Sequence, residues 1–331
     1  MTMTVLITGS SGFIGSALIS KLRADGQLAH GIDIRLPRWR ATHADDHQVD
    51  ITDAADLQDA VARIRPVHIV HLAARTDLSA DRVVDYHANI EGVANLLEAA
   101  RSVGCTTRVL WTSTQLISRV GRVPTHELDF DPDTSYGQSK VVGERIVRSL
   151  DGGGMEWAIL RPTTVWGPGM SDHYLSLLRY LERHRYFHAG DKPTPKSFSY
   201  IFNALHQIQA LLKAPGPALH RQTFYIADDV PIDMRGWCDA LSTALGVRTS
   251  PVMPAALARL LARLGDGLDA TIAPGFKFTS FRLRNIMSPY VFNTANLQAI
   301  VGPLPCDSRA AIAATVAWYR NVVQPALAAR S

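Results

Sequence analysis

Three glycines set three residues apart, Gly9, Gly12 and Gly15, constrain this chain more than any other feature. They follow the short apolar, β-branched run Val5 to Thr8, and Phe13, Ile14, Ala17, Leu18 and Leu22 then fall at helical spacing. A strand that ends in a glycine turn and continues as a helix predicts a βα unit with free backbone N–H groups at the helix start. With no side chains at the glycine positions, that start is open to close approach by an anionic group such as a pyrophosphate.

The alternation continues along the chain. Strands expected at 29–34, 68–73, 108–112 and 157–160 alternate with helices at 54–64, 89–102 and 136–150, the order of an α/β doubly wound parallel sheet with right-handed crossovers. After Arg161 the regularity fails, with a turn at 166–169 and a loop at 190–195 that carries two prolines. Segment 198–212 then reads as a strand edge and helix, and 222–226 as a strand returning to the sheet. The expected division is a Rossmann domain of residues 1–168 and 197–229, and a smaller α/β substrate domain of residues 169–196 and 230–331.

Composition excludes several classes. A chain of 331 residues with 47% hydrophobic and 19% charged residues can bury a large core and is not disordered. The net charge of +4 is scattered rather than gathered into a basic tract, which argues against nucleic acid and suits a small anionic substrate. Cys105, Cys238 and Cys306 form no CxxC pair, so neither a disulfide framework nor a cysteine zinc site is expected, and a reducing cytoplasm is. The first residues carry no basic signal region and no apolar run reaches about 18 residues, so no membrane partner is expected.

Asp33 closes the second strand 18 residues beyond Gly15, where a carboxylate can accept hydrogen bonds from an adenosine ribose and repel a 2′-phosphate. Arg35 and Arg38 nearby leave room for the phosphorylated cofactor. Tyr136 and Lys140 make a YxxxK pair one helical turn apart. A Lys ammonium and a positive nicotinamide ring beside the phenol could bring its pKa from about 10 toward 7 and make it an acid and base. Ser113 and Thr114 end the strand before that helix, at the carboxyl edge of the sheet where open α/β folds bind ligands.

Together these segments resemble the extended short-chain dehydrogenase/reductase family, and within it the NAD-dependent nucleotide-sugar epimerase/dehydratase group. The resemblance runs through TGSSGFIG at 8–15, Asp50-Ile51, HLAA at 71–74, NIEGVANLLEAA at 89–100, YGQSK at 136–140, LRPTTVWGPG at 160–169 and the tail 302–319. It implies an NAD-binding Rossmann fold. Gly9, Gly12, Phe13, Ile14 and Gly15 would cradle the pyrophosphate, Asp33 the adenosine ribose, and Asp50 and Ile51 the adenine. Leu72, Ala73 and Ala74 would line the cofactor's path, with Ser113 as a neighbour. Thr114, Tyr136 and Lys140 would be the catalytic triad, Lys140 also binding the nicotinamide ribose. A homodimer through helices 89–102 and 136–150 is implied as well.

Departures from the family pattern narrow the activity. Gln115 and Leu116 stand where similar 4,6-dehydratases carry an Asp-Glu pair, which disfavours dehydration. Ile117-Ser118-Arg119 replaces the usual VYG, Thr164 stands where many sugar-nucleotide enzymes have Asn, and Asn203 replaces the usual Asp. For the substrate's diphosphate the resemblance points to a late arginine, with Arg282 and Arg284 as candidates and Lys196 bordering the nucleotide. The expected activity is 4-epimerisation of a nucleotide-sugar through a transient 4-keto sugar. The alternative is an NAD(P)-dependent oxidoreductase, either a 4-keto-sugar reductase or a hydroxysteroid-type alcohol dehydrogenase.

Two further patterns invite a function. His43 and His47 with Asp45, Asp46 and Asp50, and His184 with His188, are read as solvated or satisfied histidines rather than as a metal site. Leu257, Leu260, Leu261 and Leu264 form a helical stripe opposite Arg259 and Arg263 that could meet a membrane surface, but is read as core or lid packing.

Overall fold

The computed structural model describes residues 3–37, 40–170, 172–271 and 278–328. Arg38, considered above for the phosphorylated cofactor, lies outside them. Seven parallel strands form the central sheet: β1 (Val5–Thr8), β2 (Ala29–Asp33), β3 (Asp46–Gln48), β4 (His68–His71), β5 (Arg108–Thr112), β6 (Glu156–Pro162) and the strand Gln222–Ile226. Their spatial order is Gln222–Ile226, β6, β5, β4, β1, β2, β3. The chain therefore reverses its winding between β1 and β4, and the crevice beyond their carboxyl ends is the place for a ligand. Register puts Thr8 of β1 beside Ile32 of β2 and His71 of β4.

Helices α1 (Phe13–Ala24), α2 (Ala54–Ile64), α3 (His87–Val103) and α4 (Ser135–Ser149) cover the two faces. Leu18, Ile19 and Leu22 of α1 pack with Leu205 and Ile208 of the helix Ile201–Lys213 on one face. Leu57 and Val61 of α2 pack with Leu96 and Leu97 of α3 on the other. Local chemistry sets the ends: Asp53 accepts N–H bonds from Ala55 and Asp56 at the start of α2, and Gly104, at φ 65°, ends α3. The expected helices lie within two residues of those observed, whereas β4 stops at His71, two residues short of expectation. The edge strand β3 was not foreseen, because three polar residues carry no apolar alternation.

Beyond Arg161 the chain forms three short strand pairs and further helices. Thr164–Trp166 pairs with Phe198–Tyr200, Pro195–Lys196 with Ile232–Asp233, and His188–Ala189 with Val252–Met253. Helices Ala255–Thr271 and Ser280–Met287 share a small apolar cluster of Ala258, Ala262 and Leu283. The leucine stripe corrects the core-packing expectation. Leu261 is half-buried, but Leu257, Leu260 and Leu264 are 44%, 56% and 59% exposed, because the small alanines rather than the leucines face the neighbouring helix.

Candidate active site

Two of the glycines, Gly9 and Gly15, have no room for a side chain. Gly9 has φ +71°, and a Cβ there would sit 2.6 Å from the Ala73 nitrogen; a Cβ at Gly15 would lie 2.1 Å from the Gly9 carbonyl oxygen. Gly12 caps α1 with no side-chain hydrogen bond, and no acidic residue lies in the first turn, so the positive helix end faces the crevice unneutralised by the helix itself. At the end of β2 the Asp33 carboxylate accepts the Ser11 and Arg35 N–H groups, each at 3.0 Å. Asp33 is thereby locked beside the glycine turn.

The residues expected to border that turn are brought to it unequally. The Leu72 N–H donates to the Thr8 carbonyl at 3.1 Å, and the Ala73 N–H to the Thr8 hydroxyl at 3.2 Å, so 72–74 runs past the carboxyl end of β1. That same hydroxyl lies 2.9 Å from His71 Nδ1, and full burial lowers the His71 pKa to about 3, keeping the imidazole neutral. Asp50 is exposed and accepts the Thr52 N–H and hydroxyl, whereas the Ile51 side chain is buried under α3. Asn95 of α3 donates to the Ile51 carbonyl at 3.0 Å and fixes the segment.

Thr114, Tyr136 and Lys140 converge at the carboxyl edge of the sheet. Thr134 caps α4 by accepting the Gly137 N–H at 3.0 Å, and Gly137 lets the helix press against the turn Gln115–Ile117, where a Cβ would lie 2.2 Å from the Leu116 oxygen. Tyr136 and Lys140 are buried one turn apart. The protein's own groups do not lower the Tyr136 pKa; the expected lowering rests also on the positive nicotinamide ring. Burial pushes the phenol up to about 12, opposed by a hydrogen bond with the Thr114 side chain, and burial pulls Lys140 down to about 8 against the attraction of Glu144. Sequence spacing places the ammonium beside the phenol but says nothing about the loss of water around both. Ser113, also buried, donates its N–H to the Leu160 carbonyl at 2.6 Å.

Several supporting residues were not foreseen. Asn89 of α3 accepts the Arg75 N–H at 2.9 Å and donates to the Arg75 carbonyl at 3.0 Å and to Ser139 Oγ at 2.9 Å; Ser139 in turn donates to the Tyr136 carbonyl. Tyr86, fully buried, lies with its ring 6.1 Å from that of Tyr136. The segment NIEGVANLL signalled a helix, but not that its first polar side chain points inward to clamp α4.

A cavity of about 600 Å³ opens beside the triad. Gln115, the residue after Thr114, lines it together with Thr164, Lys196 and Arg282 and the rings of Tyr174, Phe187, Trp237, Phe278 and Tyr290. Tyr290 ties this wall to the triad by donating from its hydroxyl to the Gln115 and Ser118 carbonyls, each 2.9 Å away. Of the two candidate arginines, Arg282 lines the cavity and Arg284 turns to Asp133 at 3.5 Å. Lys196 is buried, with its ammonium held by the carbonyls of Asn285 and Ser288 at 2.6 and 2.8 Å. Asn203 bonds Asp228 and both backbone groups of Cys306, which makes it a tie between segments.

The histidines are engaged elsewhere: His188 Nε2 lies 2.9 Å from Asp239, His30 Nδ1 lies 3.3 Å from His47, and Asp46 is held by Arg23 and Arg40. Among the described residues no group of three or more His, Cys, Asp or Glu could hold a metal ion, and no helix is long and apolar enough to cross a membrane.

Comparison with known proteins places this geometry. Residues 5–192, more than half of the chain, match the model of the NAD dependent epimerase/dehydratase family. The chain is similar to a 3-beta-hydroxysteroid dehydrogenase of Mycolicibacterium neoaurum, 29% identical over 73% of this chain and 70% of that one. It is similar also to a UDP-glucose 4-epimerase of Mycolicibacterium smegmatis, 28% identical over 75% of this chain and 85% of that one. Among solved structures, the UDP-glucose 4-epimerase of Thermus thermophilus in complex with NAD shares the fold, with a TM-score of 0.73 at 20% identity, covering 97% of this chain and 100% of that one.

Proposed function

From the premise that the chain belongs to the NAD dependent epimerase/dehydratase family, we propose that it epimerises a nucleotide-sugar at C4 through a transient 4-keto sugar. The glycine turn supports cofactor binding, since Gly9 and Gly15 leave no room for a Cβ and the helix's first turn carries no acidic side chain. On this reading Gly9, Gly12, Phe13, Ile14 and Gly15 hold the pyrophosphate of NAD, Asp33 the adenosine ribose, Asp50 and Ile51 the adenine, and Lys140 the nicotinamide ribose. Leu72, Ala73, Ala74 and Ser113 line the path. The chemistry that bound NAD supplies is reversible hydride acceptance.

The chain's own residues handle the proton. Thr114 orients the sugar's 4-oxygen, and Tyr136 takes its proton during oxidation and returns it during reduction. A phenol that burial holds near 12 is protonated at neutral pH and cannot take up a proton unaided. The Lys140 ammonium one turn away and the positive ring of bound NAD would favour the phenolate against burial, which disfavours the charged form of both residues.

The observation that carries the sugar-nucleotide reading is the cavity beginning at Gln115, one residue from Thr114. Its aromatic rings suit stacking on a nucleobase, and Arg282 suits a diphosphate. The largely apolar wall also favours a second reading, a hydroxysteroid-type alcohol dehydrogenase with the same triad, and the similarity to a 3-beta-hydroxysteroid dehydrogenase supports it. The two differ in cofactor traffic. An epimerase keeps its NAD, so cofactor released by denaturing the purified protein supports epimerisation, and a protein that arrives empty and exchanges NAD freely supports the dehydrogenase. Residues 1–168 and 197–229 are proposed as the cofactor domain, residues 169–196 and 230–331 as the substrate domain, and α3 with α4 as the homodimer contact, for which sedimentation at micromolar concentration is the check.

A further inference from the structure

The helix Ala255–Thr271 presents three faces. Ala258, Ala262 and Gly265 are buried against the rest of the protein. At 100° per residue, the exposed Leu257, Leu260, Leu264 and Leu268 fall within an arc of about 80° on a second face. Arg263 and Arg259, both exposed, lie about 60° and about 100° beyond one edge of that stripe. Asp266, on the same helix, accepts the Ser280 N–H at 2.8 Å at the start of the neighbouring helix. An apolar stripe of this length beside a basic edge has nothing to cover it within the described residues.

We propose that this helix docks on an anionic lipid surface, laying its leucine stripe into the headgroup boundary with Arg259 and Arg263 against the phosphates. Charge selects this occupant. Packed antiparallel on a second copy, the stripe would set two arginine edges against each other, whereas a layer of anionic headgroups neutralises both. The leucines face outward because the inward positions are small, so the stripe is built in addition to the packing face rather than left over from it. The inner side of the same helix rests on Leu283, which lines the cavity, so docking brings the cavity wall close to the lipid. The surface lies beyond residues 5–192, outside the family match, and stands whichever substrate the cavity takes.

The test is co-sedimentation of the full chain with vesicles of phosphatidylcholine alone and of phosphatidylcholine with phosphatidylglycerol. The wild type is expected to sediment with the anionic vesicles and not with the neutral ones. Leu260→Ser with Leu264→Ser, and separately Arg259→Gln with Arg263→Gln, are each expected to cut that binding about tenfold. Because all four side chains are exposed, the melting curve of either variant is expected to match the wild type. Absence of binding to both vesicles overturns the proposal, as does undiminished binding by the leucine variant. A dimer that the leucine variant turns into monomer also overturns it, by assigning the stripe to a second copy.

Discussion

Arg161 grips Glu144 in a two-pronged ion pair, Nε to Oε1 at 2.9 Å and Nη2 to Oε2 at 2.7 Å, with both side chains 1% exposed. Arg161 also donates to the Glu127 carbonyl and the Tyr225 hydroxyl, so four of its five donors are engaged within the protein. The pair lies one turn beyond Lys140 and joins α4 to β6. Replacing Glu144 with Gln leaves a buried guanidinium uncompensated, and we expect a loss of about 3–5 kcal/mol. The double change Glu144→Leu with Arg161→Met is expected to cost less than Glu144→Gln alone. Urea unfolding of the three proteins checks this ordering.

Gly15→Ala is expected to impair both folding and cofactor retention, since its Cβ would fall 2.1 Å from the Gly9 carbonyl oxygen and backbone must move. Gly26→Ala is the control for a glycine substitution with no close neighbour, although its φ of +76° carries a cost of about 1 kcal/mol. Melting temperature with and without added NAD separates the two effects: only Gly15→Ala is expected to lose the NAD-induced rise.

Lys140 gives the alkaline limb of stability a definite sign. Its folded pKa, about 8, lies below the ordinary 10.5, so between these values the unfolded chain binds more protons than the native one. Stability contributed by this group therefore rises as pH increases from about 8 to 10.5. Tyr136 works the other way above pH 10, where its raised pKa of about 12 keeps the native phenol protonated after the unfolded one has ionised. In the Lys140→Met protein the rise between pH 8 and 10 should disappear. Denaturant midpoints measured across that interval decide it.

Asp33 accepts two backbone N–H groups at the end of β2, and on the proposed reading faces the adenosine ribose. Asp33→Asn keeps the shape and removes the charge. Binding of NAD is expected to weaken about tenfold and binding of NADP to improve relative to it, as fluorescence titration with the reduced cofactors would read. Equal loss for both cofactors would give the carboxylate a structural role alone.

The parts of the site that sequence made legible are local. Gly9, Gly12 and Gly15 declare themselves by spacing after a strand, Asp33 by closing the next strand, and Tyr136 with Lys140 by lying one turn apart. What stayed hidden depends on contacts between distant segments. Asn89 meets Ser139 across 50 residues and Arg161 meets Glu144 across 17, and no periodicity announces either. Arg282 and Arg284 sit two positions apart on one helix, so only the helix's placement separates the cavity residue from the partner of Asp133. The leucine stripe was visible as a stripe, but periodicity reports that a face is apolar and not which neighbour covers it. The direction in which the protein alone moves the Tyr136 pKa was hidden for the same reason: burial is set by the whole fold.

The central claim is that Tyr136 drives reversible oxidation at C4 of a nucleotide-sugar. The direct test incubates the wild type and Tyr136→Phe with UDP-, GDP-, CDP- and dTDP-sugars, following product stereochemistry together with the absorbance of reduced nicotinamide. The account predicts an inverted C4 centre with no net reduced cofactor, abolished in the Tyr136→Phe protein. A stoichiometric change in reduced cofactor, or no turnover of any nucleotide-sugar, would contradict it.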